Sequence, residues 1–218
     1  LMDGITYILA MILIYYIRYI PVVKPNVSKE KILVRLNQGV QYLRKRPLLF
    51  HFGNASFTVF IFVIIATHLL WPLYIEQFLQ ESGNVYAVTK VSYSIGAMLA
   101  GFFISLVFRK TNRVMSIIIL TSLALLSFIS ITLSGITAVL YVAALFIGIA
   151  NAGIRIQRVT YIFNHIPNHI IGRTNSVFQS INILLRSLFI GLFSLSFFSR
   201  DSNVIWAVWI ADIAIFLS

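Results

Sequence analysis

The chain has 218 residues, of which 59% are hydrophobic and only 11% are charged, a balance that excludes an ordinary water-soluble domain. Its formal net charge of +11 would suit nucleic acid. However, the basic residues separate apolar runs of about 20 residues, the length of helix that crosses the ~30 Å core of a bilayer. We therefore expect a lipid bilayer as partner and no nucleic acid. The sequence has no cysteine, which excludes disulfides, thiol nucleophiles and thiolate metal sites.

The long apolar runs predict seven membrane helices. Lipid cannot hydrogen-bond backbone N–H and C=O groups, so each of these runs must satisfy them internally as a helix. The predicted fold class is therefore an all-α membrane bundle. The runs are Gly4 to Ile20, Phe52 to Ile75, Tyr86 to Phe108, Val114 to Leu133, Ile136 to Ile154, Ser176 to Phe198, and Val204 to the end. The last run stops after roughly 15 residues where a span needs about 20, and the first begins close to Leu1, so we expect both ends to be truncated.

Basic residues are concentrated after the first, third and fifth runs. By the positive-inside rule these connecting loops face the cytoplasm, so the first helix starts outside and the C-terminus lies inside. We expect the plasma or inner membrane as the location. The loops hold 13 of the 17 basic residues, namely Lys24, Lys29, Lys31, Arg35, Arg44, Lys45, Arg46, Arg109, Lys110, Arg113, Arg155, Arg158 and Arg173.

The longest polar segment, residues 21–50, contains a candidate amphipathic helix. Leu33, Leu36, Val40 and Leu43 recur at helical spacing, and basic residues are available for the wet face. We expect this helix to lie on the inner leaflet, where anionic lipid would attract its charge. The alternative is a solvated basic linker.

One string in this segment reads Asn37-Gln38-Gly39-Val40-Gln41-Tyr42-Leu43-Arg44-Lys45-Arg46-Pro47-Leu48-Leu49. This string resembles the central loop of major facilitator superfamily transporters, specifically of the drug, macrolide and enterobactin exporter branch. The resemblance implies that residues 1–20 are the sixth helix of that fold, residues 21–50 its cytoplasmic central loop, and residues 51–218 helices seven to twelve. The chain would then be a C-terminal six-helix half with the preceding helix, and its partner would be the missing N-terminal half.

Two more stretches are similar to motifs of the same superfamily. Residues 96–101 and 109–113 resemble the Gly-rich helix and basic turn between helices eight and nine, although the acidic position of that pattern is not acidic here. Residues 172–173 resemble the Gly-Arg pair that starts helix eleven. The resemblance implies a cytoplasmic gate that includes Arg109, Lys110, Arg113 and Arg173.

Three ionisable side chains fall inside the predicted spans: Lys90, Arg186 and Asp212. Such a group costs at least ~2.5 kcal/mol on insertion scales, so it usually faces a cavity or a partner. Arg186 or Lys90 is a candidate for binding an anionic or acceptor-rich substrate, and Asp212 for protonation. The alternative is that Arg186 and Asp212, which lie at similar depths, form a structural ion pair while Lys90 extends to the membrane surface.

Uncharged polar residues in the spans are weaker candidates for the substrate path. In the family that the chain resembles, their helices face that path; the alternative is hydrogen bonding between helices. These residues are Asn54, Asn151, Gln179 and Asn182. Small residues spaced four apart around Gly96 and around Gly148 predict close contacts between helices.

Catalytic and metal-binding patterns are weak. His165 and His169 are four residues apart, but Pro167 lies between them and no carboxylate is near in sequence. The sequence contains no nucleophile triad, phosphate loop or pair of carboxylates, so we expect no enzyme activity, no metal and no cofactor.

The function that the resemblance implies is secondary active transport by alternating access, with proton-driven export of amphipathic small molecules such as a drug or siderophore. One alternative is import of a small nutrient in the same fold. Another is a truncated membrane fragment that does not transport. Substrate identity, direction of transport, coupling ion and oligomeric state do not follow from the residues.

Overall fold

The computed structural model describes residues 2–17, 32–198 and 203–218, and these contain helices and no strand. The chain divides into two units, Leu1–Ile32 and Leu33–Ser218, and the first helix belongs to the first unit. The helices are α1 (Met2–Tyr16), α2 (Ile32–Arg44), α3 (Pro47–Phe78), α4 (Gly83–Val107), α5 (Arg113–Ser134), α6 (Thr137–His165), α7 (Asn168–Phe193) and α8 (Val204–Phe216). Helices α3 to α7 are long and apolar enough to cross a membrane, and α1 and α8 are shorter apolar helices. The predicted all-α membrane bundle is confirmed.

Connections of two to five residues join the helices from α3 to α7, so consecutive helices run antiparallel. The bundle therefore has two ends. At one end, here called the Pro47 end, α3 and α7 begin and α6 ends. At the other, here called the Phe78 end, α3 ends and α4 begins.

Helices α6 and α7 extend into the segment that the sequence predicted as a basic loop. The prediction left residues 155–175 outside the helices, whereas α6 continues to His165 and α7 begins at Asn168. Helix α6 ends only where Ile166 adopts the extended backbone (φ −112°, ψ 125°) that is favoured before a proline, here Pro167. The loop prediction is therefore wrong for three basic residues, which lie in helices: Arg155, Arg158 and Arg173.

Helix α2 packs against the bundle on one side. A Cβ at Gly39 would lie 2.5 Å from the carbonyl oxygen of Arg173 in α7, so the two helix backbones approach closely here. Leu43 on the same side is buried, whereas Leu33 is 76% exposed. The apolar residues of α2 are thus divided between the bundle and the outside. The predicted basic residues Lys24, Lys29 and Lys31 lie outside the described residues.

Helix α6 lies at the centre of the bundle, packed on α4 and α5. A Cβ at Gly96 in α4 would overlap the backbone carbonyl of Leu145, and a Cβ at Gly148 in α6 would overlap that of Tyr93. The small-residue contact predicted from the sequence is confirmed. Because glycine has no side chain, α4 and α6 can cross with their backbones in contact.

Helix α3 continues through Pro72, which has no N–H to donate to the helix. Two five-residue π-helical turns, Ala66–Leu70 and Tyr74–Phe78, lie on either side of this proline. Neighbouring side chains stabilise the irregular segment: the Tyr86 hydroxyl donates to the carbonyl of Thr67 at 2.8 Å, and Tyr74 donates to α5. The bond from Tyr86 to the Thr67 carbonyl satisfies an acceptor of α3 beside Pro72, and such a replacement bond allows proline inside a membrane helix.

Candidate functional site

One face of α7 carries four polar side chains. Asn175, Gln179, Asn182 and Arg186 are spaced four, three and four residues apart, which places them within about 60° of one another around the helix. Asn175 and Gln179 are exposed and Arg186 is half-buried. Asn182 is 3% exposed, and its Nδ2 has no hydrogen-bond partner among the described residues. Three predicted path residues, Gln179, Asn182 and Arg186, therefore share one side of a membrane helix.

A cavity of about 310 Å³ lies beside this face, towards the Pro47 end of the bundle. Residues from three helices line it: Phe57 from α3; Arg155, Arg158, Val159, Ile162 and Phe163 from α6; and Ile171, Gly172, Asn175 and Gln179 from α7. Its wall combines two guanidinium groups and two amides with aromatic and aliphatic side chains. Such a wall suits a molecule that is apolar over most of its surface and carries an anionic or acceptor group.

Arg158 is the buried charge of this cavity, with 5% of its surface exposed. Its Nη1 donates a hydrogen bond of 2.6 Å to the carbonyl oxygen of Ser56, and its Cζ lies 3.6 Å from the centroid of the Phe57 ring. Among the described residues no carboxylate pairs with it. A buried guanidinium whose partners are a carbonyl and a ring can still accept an anion.

The segment of α3 that receives Arg158 is held in place by α7. The Phe178 ring occupies the space where a Cβ at Gly53 would lie, and the Phe57 and Phe178 rings are 6.3 Å apart. The Ser56 hydroxyl donates to the carbonyl of Gly53 at 2.9 Å, within the same turn. The acceptor and the ring that contact Arg158 are thus fixed by packing.

The other uncharged path candidates make bonds within the bundle, and Lys90 lies apart from the cavity. Asn151 donates from Nδ2 to the Tyr93 hydroxyl at 2.8 Å, which joins α6 to α4. Asn54 donates at 2.8 Å to a carbonyl one turn earlier in its own helix. Lys90 is half-buried towards the Phe78 end of α4, with its Nζ 5.8 Å from the centroid of the Tyr86 ring. None of these three residues lines the cavity that contains Arg158.

Asp212 is buried in α8 and does not pair with Arg186. Its Oδ2 accepts a hydrogen bond of 2.9 Å from the Thr132 hydroxyl, and its Oδ1 has no partner among the described residues. The structural Arg186–Asp212 ion pair, which was the alternative to a substrate-binding role for Arg186 and a protonation role for Asp212, is therefore wrong. The reason is that α8 packs mainly on α5 and α3, which turns this carboxylate towards Thr132.

Of the two histidines four residues apart, His165 makes contacts within its own helix. His165 stacks on Tyr161, with ring centroids 3.9 Å apart, and its Nδ1 contacts the Tyr161 carbonyl at 2.8 Å. In the described ranges no group of three or more His, Cys, Asp or Glu side chains is placed to hold a metal ion.

A family model described as Major Facilitator Superfamily matches residues 1–190 of the chain. The chain belongs to the major facilitator superfamily. Members of this superfamily are membrane transporters, and together with the long apolar helices the match makes the protein a multi-pass membrane transporter. Comparisons with curated proteins and with solved structures gave no match.

In this major facilitator chain the predicted gate residues have different surroundings. Arg109 and Lys110 are exposed in the turn between α4 and α5, and Arg173 is half-buried in α7. Arg113, in the first turn of α5, donates from Nη1 to the side-chain oxygen of Gln157 at 2.7 Å. Gln157 is fully buried in α6, and no motif or spacing in the sequence singles it out. A neutral amide thus holds the basic turn to α6.

We expect Gln157→Leu to weaken the link between α5 and α6. The leucine leaves the Arg113 guanidinium without this acceptor, and a lost hydrogen bond to a charged group costs about 1.5 to 3 kcal/mol. Thermal unfolding of the purified protein in detergent would show a lower midpoint. Gln157→Glu is the matched control because a carboxylate still accepts from Arg113. Equal midpoints for Gln157→Leu and the unaltered protein would contradict the prediction.

Proposed function

We propose that the chain is the C-terminal half of a secondary active transporter that exports amphipathic small molecules in exchange for protons. In this proposal residues 1–20 are the sixth transmembrane helix, residues 21–50 the cytoplasmic central loop, and residues 51–218 helices seven to twelve. The transporter lies in the plasma or inner membrane with the C-terminus of the chain on the cytoplasmic side.

The observation that carries the substrate class is the cavity around Arg158. A guanidinium that is 5% exposed and has no carboxylate partner among the described residues leaves a positive charge for a ligand to neutralise. Arg155, Asn175 and Gln179 add polar groups on the same wall, and Phe57 adds an aromatic surface. We therefore infer a substrate with an apolar body and an anionic or acceptor-rich group.

The polar faces of α7 and α4 support a second bundle opposite this one. Asn175 and Gln179 on α7 and Ser94 on α4 are exposed, and Lys90 and Arg186 are half-buried, in helices long enough to cross a membrane. Lipid does not hydrogen-bond such groups, so they favour a water-filled path or another protein surface. A missing N-terminal half that rocks against this one would supply that surface.

Two other features support the proposed direction of transport and the proposed coupling ion. The resemblance of the string around Gly39 to the exporter branch supports export. Asp212 supports proton coupling, because a buried carboxylate with one unpartnered oxygen can take up a proton inside the bundle.

Efflux of a fluorescent amphipathic anion from cells that express the complete reading frame tests this proposal. We expect efflux that a protonophore abolishes, at equal amounts of membrane-inserted protein. Energy-dependent uptake of the same probe would instead indicate an importer of small nutrients. Absence of flux for a series of amphipathic probes, with the protein inserted, would contradict the proposed substrate class and favour a fragment that does not transport.

A further inference from the structure

An apolar groove of about 490 Å³ lies between α2, α3 and α7. Val40 and Arg44 from α2, Phe50 from α3, and Ser180, Ile181 and Leu184 from α7 contribute to its walls. Among the described residues, none lines both this groove and the cavity around Arg158. The groove is thus a second concave surface, distinct from the candidate substrate site.

The groove and the cavity lie on opposite sides of α7. Ser180, Ile181 and Leu184 are rotated by about 120 to 160° around the helix from the mean direction of Asn175, Gln179 and Arg186. Leu184 is 69% exposed. A membrane helix that presents its polar side to a cavity presents its apolar side to lipid, so the groove opens towards the acyl chains of the bilayer.

A basic cluster, Arg44 to Arg46, lies at the end of the groove where α2 ends. Arg44 lines the groove and is exposed, and its side chain forms no hydrogen bond or ion pair within the described part of the chain. Lys45 and Arg46 follow it and are also exposed. The Cζ of Arg46 lies 4.1 Å from the centroid of the Tyr42 ring, which holds a second guanidinium at this end. Guanidinium groups at a membrane surface bind the phosphate of anionic lipids.

The wall that carries Arg44 is fixed before any ligand binds. Gly39 brings the α2 backbone against Arg173 of α7, and Leu43 is 1% exposed in the core beside Val177. A preformed site loses little conformational freedom when it binds a ligand. From Val177 to Leu184 the groove follows α7 for about 10 Å, the direction in which an acyl chain enters the bilayer.

We propose that this groove binds an anionic phospholipid, with one acyl chain along α7 and the phosphate on Arg44. The bound lipid contacts α2 and α7 together and thereby stabilises the packing of α2 on the bundle. Lipid fits better than a protein segment, because the groove opens on the apolar side of a membrane helix and the only charged group among its described lining residues is the cation of Arg44. The proposal depends neither on the transported molecule nor on the direction of transport.

Native mass spectrometry of the full chain in detergent tests the proposal. The probes are phosphatidylglycerol and phosphatidylcholine with identical acyl chains. We expect phosphatidylglycerol to bind more tightly, and Arg44→Gln to lower its affinity by about fivefold, the effect of one basic residue near a membrane surface. Arg35→Gln is the matched control, since Arg35 is exposed on the opposite side of α2 from Arg44 and does not line the groove. Its phosphatidylglycerol affinity stays within twofold of the unaltered chain.

A second variant tests the groove itself. Ser180 is exposed, so Ser180→Trp fills the groove without a change in the core, and it should remove high-affinity binding of both lipids while the thermal midpoint stays the same. Equal affinity for the two lipids would overturn the proposal. An equal loss of phosphatidylglycerol affinity in Arg35→Gln and Arg44→Gln would also overturn it, because it would indicate diffuse electrostatic attraction. Leu184→Trp fills the same groove from a neighbouring position, and unchanged lipid binding in both tryptophan variants would likewise overturn the proposal.

Discussion

Gly96→Leu is expected to separate α4 from α6 and to lower the free energy of unfolding by about 3 kcal/mol or more. The new Cβ would overlap the backbone carbonyl of Leu145, which cannot rotate away as a side chain can. A Cβ at Gly148 in α6 would likewise overlap the backbone of Tyr93 in α4, so neither helix has room for a side chain at this crossing. Denaturant unfolding in detergent, with the yield of monodisperse protein, measures the effect.

Gly101→Leu is the matched control for this experiment. Gly101 lies in the same helix and is also a glycine, but no atom lies within 4 Å of a Cβ built there, and the position is exposed. A surface substitution of this kind changes stability by about 0.5 kcal/mol or less. An equal loss of unfolding free energy in Gly96→Leu and Gly101→Leu would assign the effect to membrane insertion of α4 and not to its contact with α6. A Gly96→Leu variant as stable as the unaltered protein would show that the helices do not touch at Gly96.

The helices and one close contact between them could be predicted because both depend on local sequence. Apolar length alone places α3 to α7, and small residues four apart mark the crossing at Gly96 and Gly148. The end of α6 does not follow from hydropathy, because Arg155 and Arg158 interrupt the apolar run before the helix ends. A helix ends where its backbone can no longer continue, which is at Ile166 before Pro167, and a charge does not stop it.

The candidate site could be predicted only in part. The shared face of Gln179, Asn182 and Arg186 follows from their spacing along one helix. The bond from Arg158 to the Ser56 carbonyl joins residues 102 positions apart and depends on how α6 is rotated against α3. The same is true of Asp212, whose partner Thr132 is 80 residues away.

One signal in the sequence does point to Arg158. Ile154, Arg158 and Ile162 are spaced four apart, and all three are buried in α6. A charged residue at a position of the apolar stripe is costly unless a partner or ligand compensates it. A charge in phase with buried apolar positions is therefore the sequence pattern that indicates a buried guanidinium here.

Arg158→Gln in the intact transporter is expected to lower transport of an anionic amphipathic substrate by about 10- to 100-fold at low concentration. A hydrogen bond to a charged group is worth about 1.5 to 3 kcal/mol, and each 1.4 kcal/mol is tenfold in affinity. Arg158→Lys keeps the charge but loses the planar contact with Phe57, so it should retain part of the activity. Initial rates in proteoliposomes, measured against substrate concentration, should show a raised apparent KM.

Two comparisons separate substrate binding from a structural role of Arg158. Arg35→Gln removes an exposed charge outside the cavity and should leave the KM unchanged. A neutral analogue with the same apolar body should be transported almost equally by the unaltered protein and by Arg158→Gln, because the analogue has no charge for the guanidinium to neutralise. If both substrates lose transport to the same extent, Arg158 holds α6 to α3 through Ser56 and does not bind the substrate. If Arg158→Gln loses transport of the anionic substrate alone and keeps its thermal midpoint, the electrostatic contact between Arg158 and the substrate explains the loss.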